Sequence, residues 1–538
     1  MEKKHITVEN PILPGDHPDP SVVRVGDDYY MVCSTFQFFP AVNVLHSRDL
    51  VYWRTIGHVV TRKEQLDLTA VPDSFGVYAP DISYYEGRFW VVVPFYHGQP
   101  RCTNILFSSE KPEGPYDNGT ILNHHFIDPS IFNDEDGRRY LAFGGGWIHE
   151  LAKDGSRLLG EAKQVWPGTG GAAPEAPHVL KRNGWYYLLL AEGGTFFEHR
   201  VTIARSRSIW GPYEPCPCNP ILMQTDPNKL IQKTGHGKLI QDPQGRWWFP
   251  HLGGRTLEPV GSTPLGRETF LQPVSWTEDE WPVIGDGGKP LERFDIIDED
   301  PTPSHLTFDF VDTFQSGELD PTWEWVRLPV ERGFRLTNKG LEIDCKPYML
   351  LTPQPTLVLT RRWQHFRFTA ETELRFHPLS LGEEAGMLLY RDLDGFLMMS
   401  VRNGLGQTTG LPFDVKRLNE NQEEEGLFLQ IDRFEHAKRR TLLQKKLERS
   451  SGDPIRLRFQ VDALSDYCMF QWAKGEGGSL ETLDLNLPVS FLFPESAIRF
   501  LCFTAPRIAL FARGVFGMNQ GHALFTNFIY RGLPHPIE

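Results

Sequence analysis

Apolar and polar positions alternate along most of this chain with a period of two, in short runs separated by turns, while helical periodicity is scarce. In the first half one pattern recurs five times: an acidic or polar turn containing Gly, then paired bulky residues that open an apolar strand. The copies are GDDYYMV (Gly26 to Val32), EGRFWVVV (Glu86 to Val93), DGRRYLAF (Asp136 to Phe143), NGWYYLLL (Asn183 to Leu190) and QGRWWFPH (Gln244 to His251). Anchored on Tyr30, Trp90, Tyr140, Tyr187 and Trp248, they lie 60, 50, 47 and 61 residues apart, room for about four strands each. Asp-Gly and Asn-Gly between apolar runs are favoured two-residue hairpin turns, so each copy predicts the turn joining a first strand to a second. Five such units predict a five-bladed β-propeller over residues 1–295.

Beyond an acidic, Pro-containing stretch from Ile284 to His305, read as a linker or strap, the five-fold pattern stops. Gly340 to Lys346, Phe366 to Phe376, Gly386 to Asp392, Ile455 to Asp462 and Cys468 to Lys474 alternate as half-buried antiparallel strands do, predicting one β-sandwich over residues 306–538. Asp414 to Ser450, with its charged runs, reads as a solvated surface hairpin or short helix. The fold class is therefore all-β.

Composition agrees. In 538 residues there are 49 Gly and 42 Pro, and aromatics reach 12%, a mixture that suits short strands and tight turns. With 55 Lys and Arg against 69 Asp and Glu the net charge is −14, and no basic run is long enough to track a phosphate backbone, so nucleic acid is not an expected partner. No apolar stretch approaches 18 residues and the first ten residues lack an apolar signal core, so neither a membrane nor secretion is expected. Seven scattered cysteines argue against a disulfide framework and for a reducing cytoplasm.

The repeat register also selects chemistry. Eleven residues before Tyr30 stands Asp19, and twelve before Tyr140, Tyr187 and Trp248 stand Asp128, Glu175 and His236. Each would open the innermost strand of its blade and face the central channel. In the second blade Ala79 and Pro80 fall near that offset, with Asp81 just beyond. Carboxylates gathered at one mouth, without a phosphate-binding loop, suggest glycosidic bond cleavage, in which one carboxyl protonates the leaving oxygen and another activates water. Competing signals are weak: GTGGAA (Gly168 to Ala173) is followed by Pro174 and Pro177 where a dinucleotide-binding helix should begin, and Cys216 and Cys218 lack a second ligand pair for zinc.

PDPS (Pro18 to Ser21), STFQFFP (Ser34 to Pro40), HSRDLVYW (His46 to Trp53), APD (Ala79 to Asp81), DPS (Asp128 to Ser130), PEAPH (Pro174 to His178), AEGGT (Ala191 to Thr195), GHGKLI (Gly235 to Ile240) and LGRET (Leu265 to Thr269) together resemble glycoside hydrolase family 43, and most closely its β-xylosidases. The resemblance spans the whole chain and implies a propeller followed by a concanavalin-like sandwich. It further implies an inverting exo-glycosidase that releases xylose from the non-reducing ends of xylo-oligosaccharides, with α-L-arabinofuranosidase side activity. Asp19 would be the general base, Glu175 the general acid, and Asp128 the residue that orients Glu175 and raises its pKa. Phe36 would wall the sugar, with Tyr78 where many relatives have Trp, and Thr195, His199 and Arg267 would match polar positions around the terminal sugar. His236 would lie on the axis, near where relatives hold calcium or water; no cofactor is required, but a structural calcium is allowed, and a homo-oligomer is left open. The alternatives are an arabinan- or fructan-directed glycosidase, although the W-M-N-D-P-N-G start of the fructosidases is absent, and a non-catalytic carbohydrate-binding propeller.

Overall fold

The computed structural model describes residues 4–98, 102–257, 261–298, 308–404, 426–436, 438–448, 451–475, 477–497, 502–516 and 519–533. Five antiparallel sheets of four or five strands follow one another in the first half. Their first two strands are Ser21–Val25 and Asp28–Val32, Asp81–Tyr85 and Arg88–Tyr96, Ser130–Asn133 and Arg139–Phe143, Glu175–Arg182 and Trp185–Glu192, and Ile231–Gly237 and Trp247–Arg255. Each predicted turn falls between such a pair, and the anchor aromatics sit on the second strands. Tyr140 and Tyr187 are fully buried there, filling the space between blades. The five-bladed propeller read from the repeat is thus the fold observed.

The stretch read as a linker or strap carries a strand, Arg293–Asp298, which runs past residue 295 and pairs antiparallel with Lys4–Glu9. Among the described residues the second half forms one sheet of eight strands and contributes seven strands to another of eight. Pro454–Asp462 alternates buried and half-buried residues as expected. Glu384–Asp392 is buried at every position, because its sheet is covered on both faces. The charged segment is a hairpin of Leu427–Glu435 and Lys438–Leu447, whose first strand lies in the core and whose second is mostly exposed at the sheet edge; residues 414–425 of that expectation lie outside the described ones. All seven cysteines are unpaired. Among the described residues no helix is long and apolar enough to cross a membrane.

The two halves are fused through a shared core. The propeller contributes the short strand Phe38–Phe39 to a sandwich sheet, pairing with Glu324–Val326. One hydrophobic cluster runs from Val32, Val59 and Val91 in the first two blades to Leu359, Leu388 and Phe511 in the sandwich. At the seam Glu324 is fully buried; it accepts from Arg362 Nη1 (3.2 Å), Asn43 Nδ2 (2.7 Å) and Arg507, and the two guanidinium groups hold its carboxyl down at about 2 against the cost of burial. Asp73 and Arg327, also buried, make a second cross-domain pair at 2.6 Å. A junction of this kind fixes the sandwich against the propeller mouth and determines what closes the site.

Candidate active site

The predicted register residues arrive at the channel mouth through local backbone distortion. Asp19, Asp128 and His236 adopt left-handed backbone (φ 59°, 55° and 42°), and in the fourth blade Ala176, next to Glu175, does the same (φ 53°). Non-glycine residues rarely accept that region, and isolated cases cluster at functional sites. The ladder slips at the same places, between Glu175 and His178 and again between Gln232 and Gly237. Such bulges re-aim side chains out of the pleat, here toward the axis.

Asp19 is buried and accepts hydrogen bonds from the Ser34 hydroxyl and from Arg267 Nη1 (3.2 Å), with His236 Nδ1 3.4 Å away. Burial pushes its pKa up, but Arg267, His236 and the Ser34 hydroxyl outweigh it and leave the carboxyl below its ordinary value. Asp19 is therefore an anion at neutral pH.

Asp128 and Glu175 behave oppositely. Carboxylate and imidazole atoms of Asp128, Glu175 and His236 lie within 4.8 Å of one another. Burial, then the charge of Glu175, push Asp128 well above the usual carboxylate range, against the Ala176 N–H donated to its Oδ2 at 3.2 Å. Burial and the Asp19 charge raise Glu175 to about 7, with Arg267 opposing. Two such carboxyls titrate as a pair that holds a proton into the neutral range. Behind Glu175, the His199 ring is buried and uncharged, its pKa brought to about 3 chiefly by burial. Its Nδ1 donates to Lys233 O at 3.1 Å, which leaves Nε2 as a bare acceptor 3.9 Å from Glu175 Oε1.

These groups line a recess of about 350 Å³ together with Phe36, Tyr78, Thr195 and Arg267. Of the nine residues selected from sequence, eight face it and His199 stands behind Glu175. The recess has a further wall that the sequence reading missed: Phe503, from the sandwich. Its ring stacks with Phe36 at 6.1 Å and 11°, while Tyr78 meets both edge-on at 5.7 Å. The Arg267 guanidinium lies over Phe36 and Phe503, 5.6 and 5.5 Å from their centroids. Ser74 Oγ accepts from Phe503 N at 3.1 Å, Asp16 Oδ2 from Ala505 N at 3.2 Å, and Phe503 O from Arg267 Nη2 at 3.4 Å. No local pattern marks Phe503, which sits outside any strand.

On the axis stands a cation supplied by the chain itself. Lys238 Nζ donates to Asp81 Oδ1 (2.6 Å), Ile82 O (3.0 Å) and Ser21 Oγ (3.2 Å). Among the described residues the one set with metal-ligand spacing is Asp128, Glu175 and His236. It does not fit calcium, which takes about six to eight oxygens. Two of its three donor groups are carboxyls that favour a proton, the third is an imidazole, and Lys238 already meets the demand for positive charge on the axis. By themselves these side chains around His236 fall short of the oxygen donors that calcium takes.

Residues 8–282 match the model of glycosyl hydrolases family 43, and residues 311–531 match the β-xylosidase C-terminal concanavalin A-like domain. The chain is 38% identical over 413 residues to xylosidase/arabinosidase 43B of Humicola insolens, covering 73% of this chain and 76% of that protein. It is 36% identical over 421 residues to a β-xylosidase of Bacillus subtilis, covering 73% and 79% respectively. The crystal structure of the GH43 protein BlXynB from Bacillus licheniformis, 35% identical, superimposes with a TM-score of 0.89 over 98% of this chain and 100% of that one. A propeller joined to a concanavalin-like sandwich agrees with both family models and with these relatives: the chain belongs to glycosyl hydrolase family 43 and is a glycoside hydrolase.

Proposed function

We propose that the protein is an inverting, exo-acting β-xylosidase that removes terminal xylose from short xylo-oligosaccharides. The observation that carries this reading is the opposite ionisation of the carboxyls: Asp19 held as an anion, Glu175 held protonated up to about pH 7. Asp19 takes a proton from a water as its oxygen bonds to the anomeric carbon, the bond from that carbon to the leaving oxygen breaks, and Glu175 delivers its proton to that oxygen. The anomeric configuration inverts, and the products are α-xylose and the shortened oligomer. Burial and the charge of Asp19 keep Glu175 protonated, and Asp128 beside it orients it. A recess walled by Phe36, Tyr78 and Phe503 suits the apolar face of a single terminal sugar, which supports exo action.

A second reading, α-L-arabinofuranoside hydrolysis by the same carboxyls, is supported by the likeness to the Humicola insolens xylosidase/arabinosidase. Purified protein should hydrolyse nitrophenyl β-xyloside and xylobiose; if only the α-arabinofuranoside is turned over, the sugar assignment is wrong, and if none is, the reading fails. Seven unpaired cysteines support a reducing compartment, and hence the cytoplasm, as its location.

A further inference from the structure

Beside the sugar recess lies a second one, lined by groups from both domains, among them Thr195, Lys233, Thr263, Arg267, Glu495 and Phe503. Glu495 belongs to the sandwich, on the short 3-10 turn Pro494–Ser496, yet its carboxylate makes its bonds to the propeller. It accepts from Thr263 Oγ1 (2.6 Å), Thr263 N (3.1 Å) and Lys233 Nζ (2.8 Å), and its side chain is only 27% exposed.

Lys233 connects this carboxylate to the catalytic acid. It has left-handed backbone (φ 54°) and lies in the bulge where Lys233 and Thr234 together oppose the single Gly253, so its carbonyl is free of the ladder. That carbonyl is the acceptor for His199 Nδ1 at 3.1 Å. The imidazole is also seated by Gly235, where a Cβ would come within 2.5 Å of the ring. Two ends of one residue therefore serve two partners. The ammonium is pinned by Glu495, and the strained backbone fixes the tautomer that presents a bare His199 Nε2, otherwise without a partner, to Glu175.

We propose that Glu495 of the sandwich is a positioning residue for the acid half of the site, acting through Lys233 and His199 on the orientation of the Glu175 carboxyl. The inference rests on Glu175 being the general acid. Without the Lys233–Glu495 bond the bulge relaxes, the Lys233 carbonyl turns away and His199 can take the other tautomer. Its N–H would then face Glu175, compete with proton delivery to the leaving oxygen and favour the ionised carboxyl. Asp19, Asp128, His236 and Arg267, the other charged or titratable groups around Glu175, are untouched by the change.

The test uses Glu495→Gln, which keeps an oxygen for Thr263, and Lys233→Met, which keeps the Thr263–Glu495 bonds. Turnover is measured on xylobiose, a poor leaving group, and on dinitrophenyl β-xyloside, which needs little protonation. Each variant should lower kcat on xylobiose about tenfold or more while changing the activated substrate by about twofold or less, a fraction of the full effect of a general acid. The double variant should be no worse than either single one. An equal fall on both substrates, or no fall on either, overturns the proposal. A rise in KM for xylobiose with kcat unchanged also overturns it, because the pair would then be holding the leaving sugar directly. Should Glu495→Gln not fold, Lys233→Met decides alone. Wild-type protein inactive on both substrates would instead overturn the glycosidase reading itself.

Discussion

Lys238 and Asp81 form an ion pair at 2.6 Å on the propeller axis, and through it one carboxylate touches all five blades. Asp81 opens the second blade and accepts from Ser21 Oγ of the first (2.6 Å) and Ile131 N of the third (2.8 Å). His178 Nδ1 of the fourth lies 3.7 Å away, and Lys238 comes from the fifth. Asp81 is 1% exposed, and that ammonium is the counter-charge within its reach. Lys238→Met should cost about 3–5 kcal/mol by stranding a buried carboxylate. Denaturant melts should show the loss, and adding Asp81→Asn should recover part of it, since the pair is coupled. Full additivity of the two changes would mean that the pair is not a unit.

Stereochemistry tests the base. A base that works through water needs its carboxyl about 6.5–9.5 Å from the acid and yields inversion. Proton NMR of the first sugar released from a β-xyloside should show α-xylose before mutarotation. Initial β-xylose would require a covalent intermediate and remove Asp19 from its role.

Acid and base separate by leaving group. Glu175→Ala should slow xylobiose by roughly 100-fold or more, and dinitrophenyl xyloside far less, because a good leaving group needs little protonation. Asp19→Ala should slow both substrates alike. Equal losses in Glu175→Ala would mean that the proton comes from elsewhere.

The pH profile tests the pair. Glu175 is raised and must be protonated to act, so kcat/KM should fall as pH rises through about 7; Asp19 is depressed and must be ionised, so the acid limb should lie below the ordinary carboxylate range. Asp128→Asn puts a permanently neutral group where Asp128 holds its own proton, so the alkaline limb should stay near 7 while the rate falls; a limb moved to lower pH would mean that Asp128 is ionised beside Glu175. A limb that stays in place while the rate collapses would assign Asp128 to positioning alone.

Phe503 tests the contribution of the sandwich to the sugar site. Phe503→Ala removes one wall of the recess and should lower kcat/KM for xylobiose about tenfold or more, the equivalent of roughly 1.5–3 kcal/mol of apolar contact. The thermal midpoint should move little, because the ring borders the recess and not the core. Unchanged kinetics would mean that the wall is dispensable.

What the sequence determined by itself was local and periodic. A hairpin turn followed by paired bulky residues is written within about ten residues, so five copies set the blades, and offsets of eleven or twelve residues from Tyr30, Tyr140, Tyr187 and Trp248 set Asp19, Asp128, Glu175 and His236 around one axis. The fold of each blade and the carboxyls gathered at the recess were legible for that reason. The tertiary structure alone decided what meets across long separations. Arg267 reaches Asp19 over 248 residues, Glu495 reaches Lys233 over 262, and Phe503 is tied to Ser74 over 429. None of these belongs to a repeat, and the last two depend on the buried Asp73–Arg327 and Asn43–Glu324 contacts that fix the sandwich on the propeller. The charge of Asp19 and the proton of Glu175 belong to the same category. A carboxyl has one ordinary pKa in sequence, and only burial and the partners that folding brings to it move two of them in opposite directions.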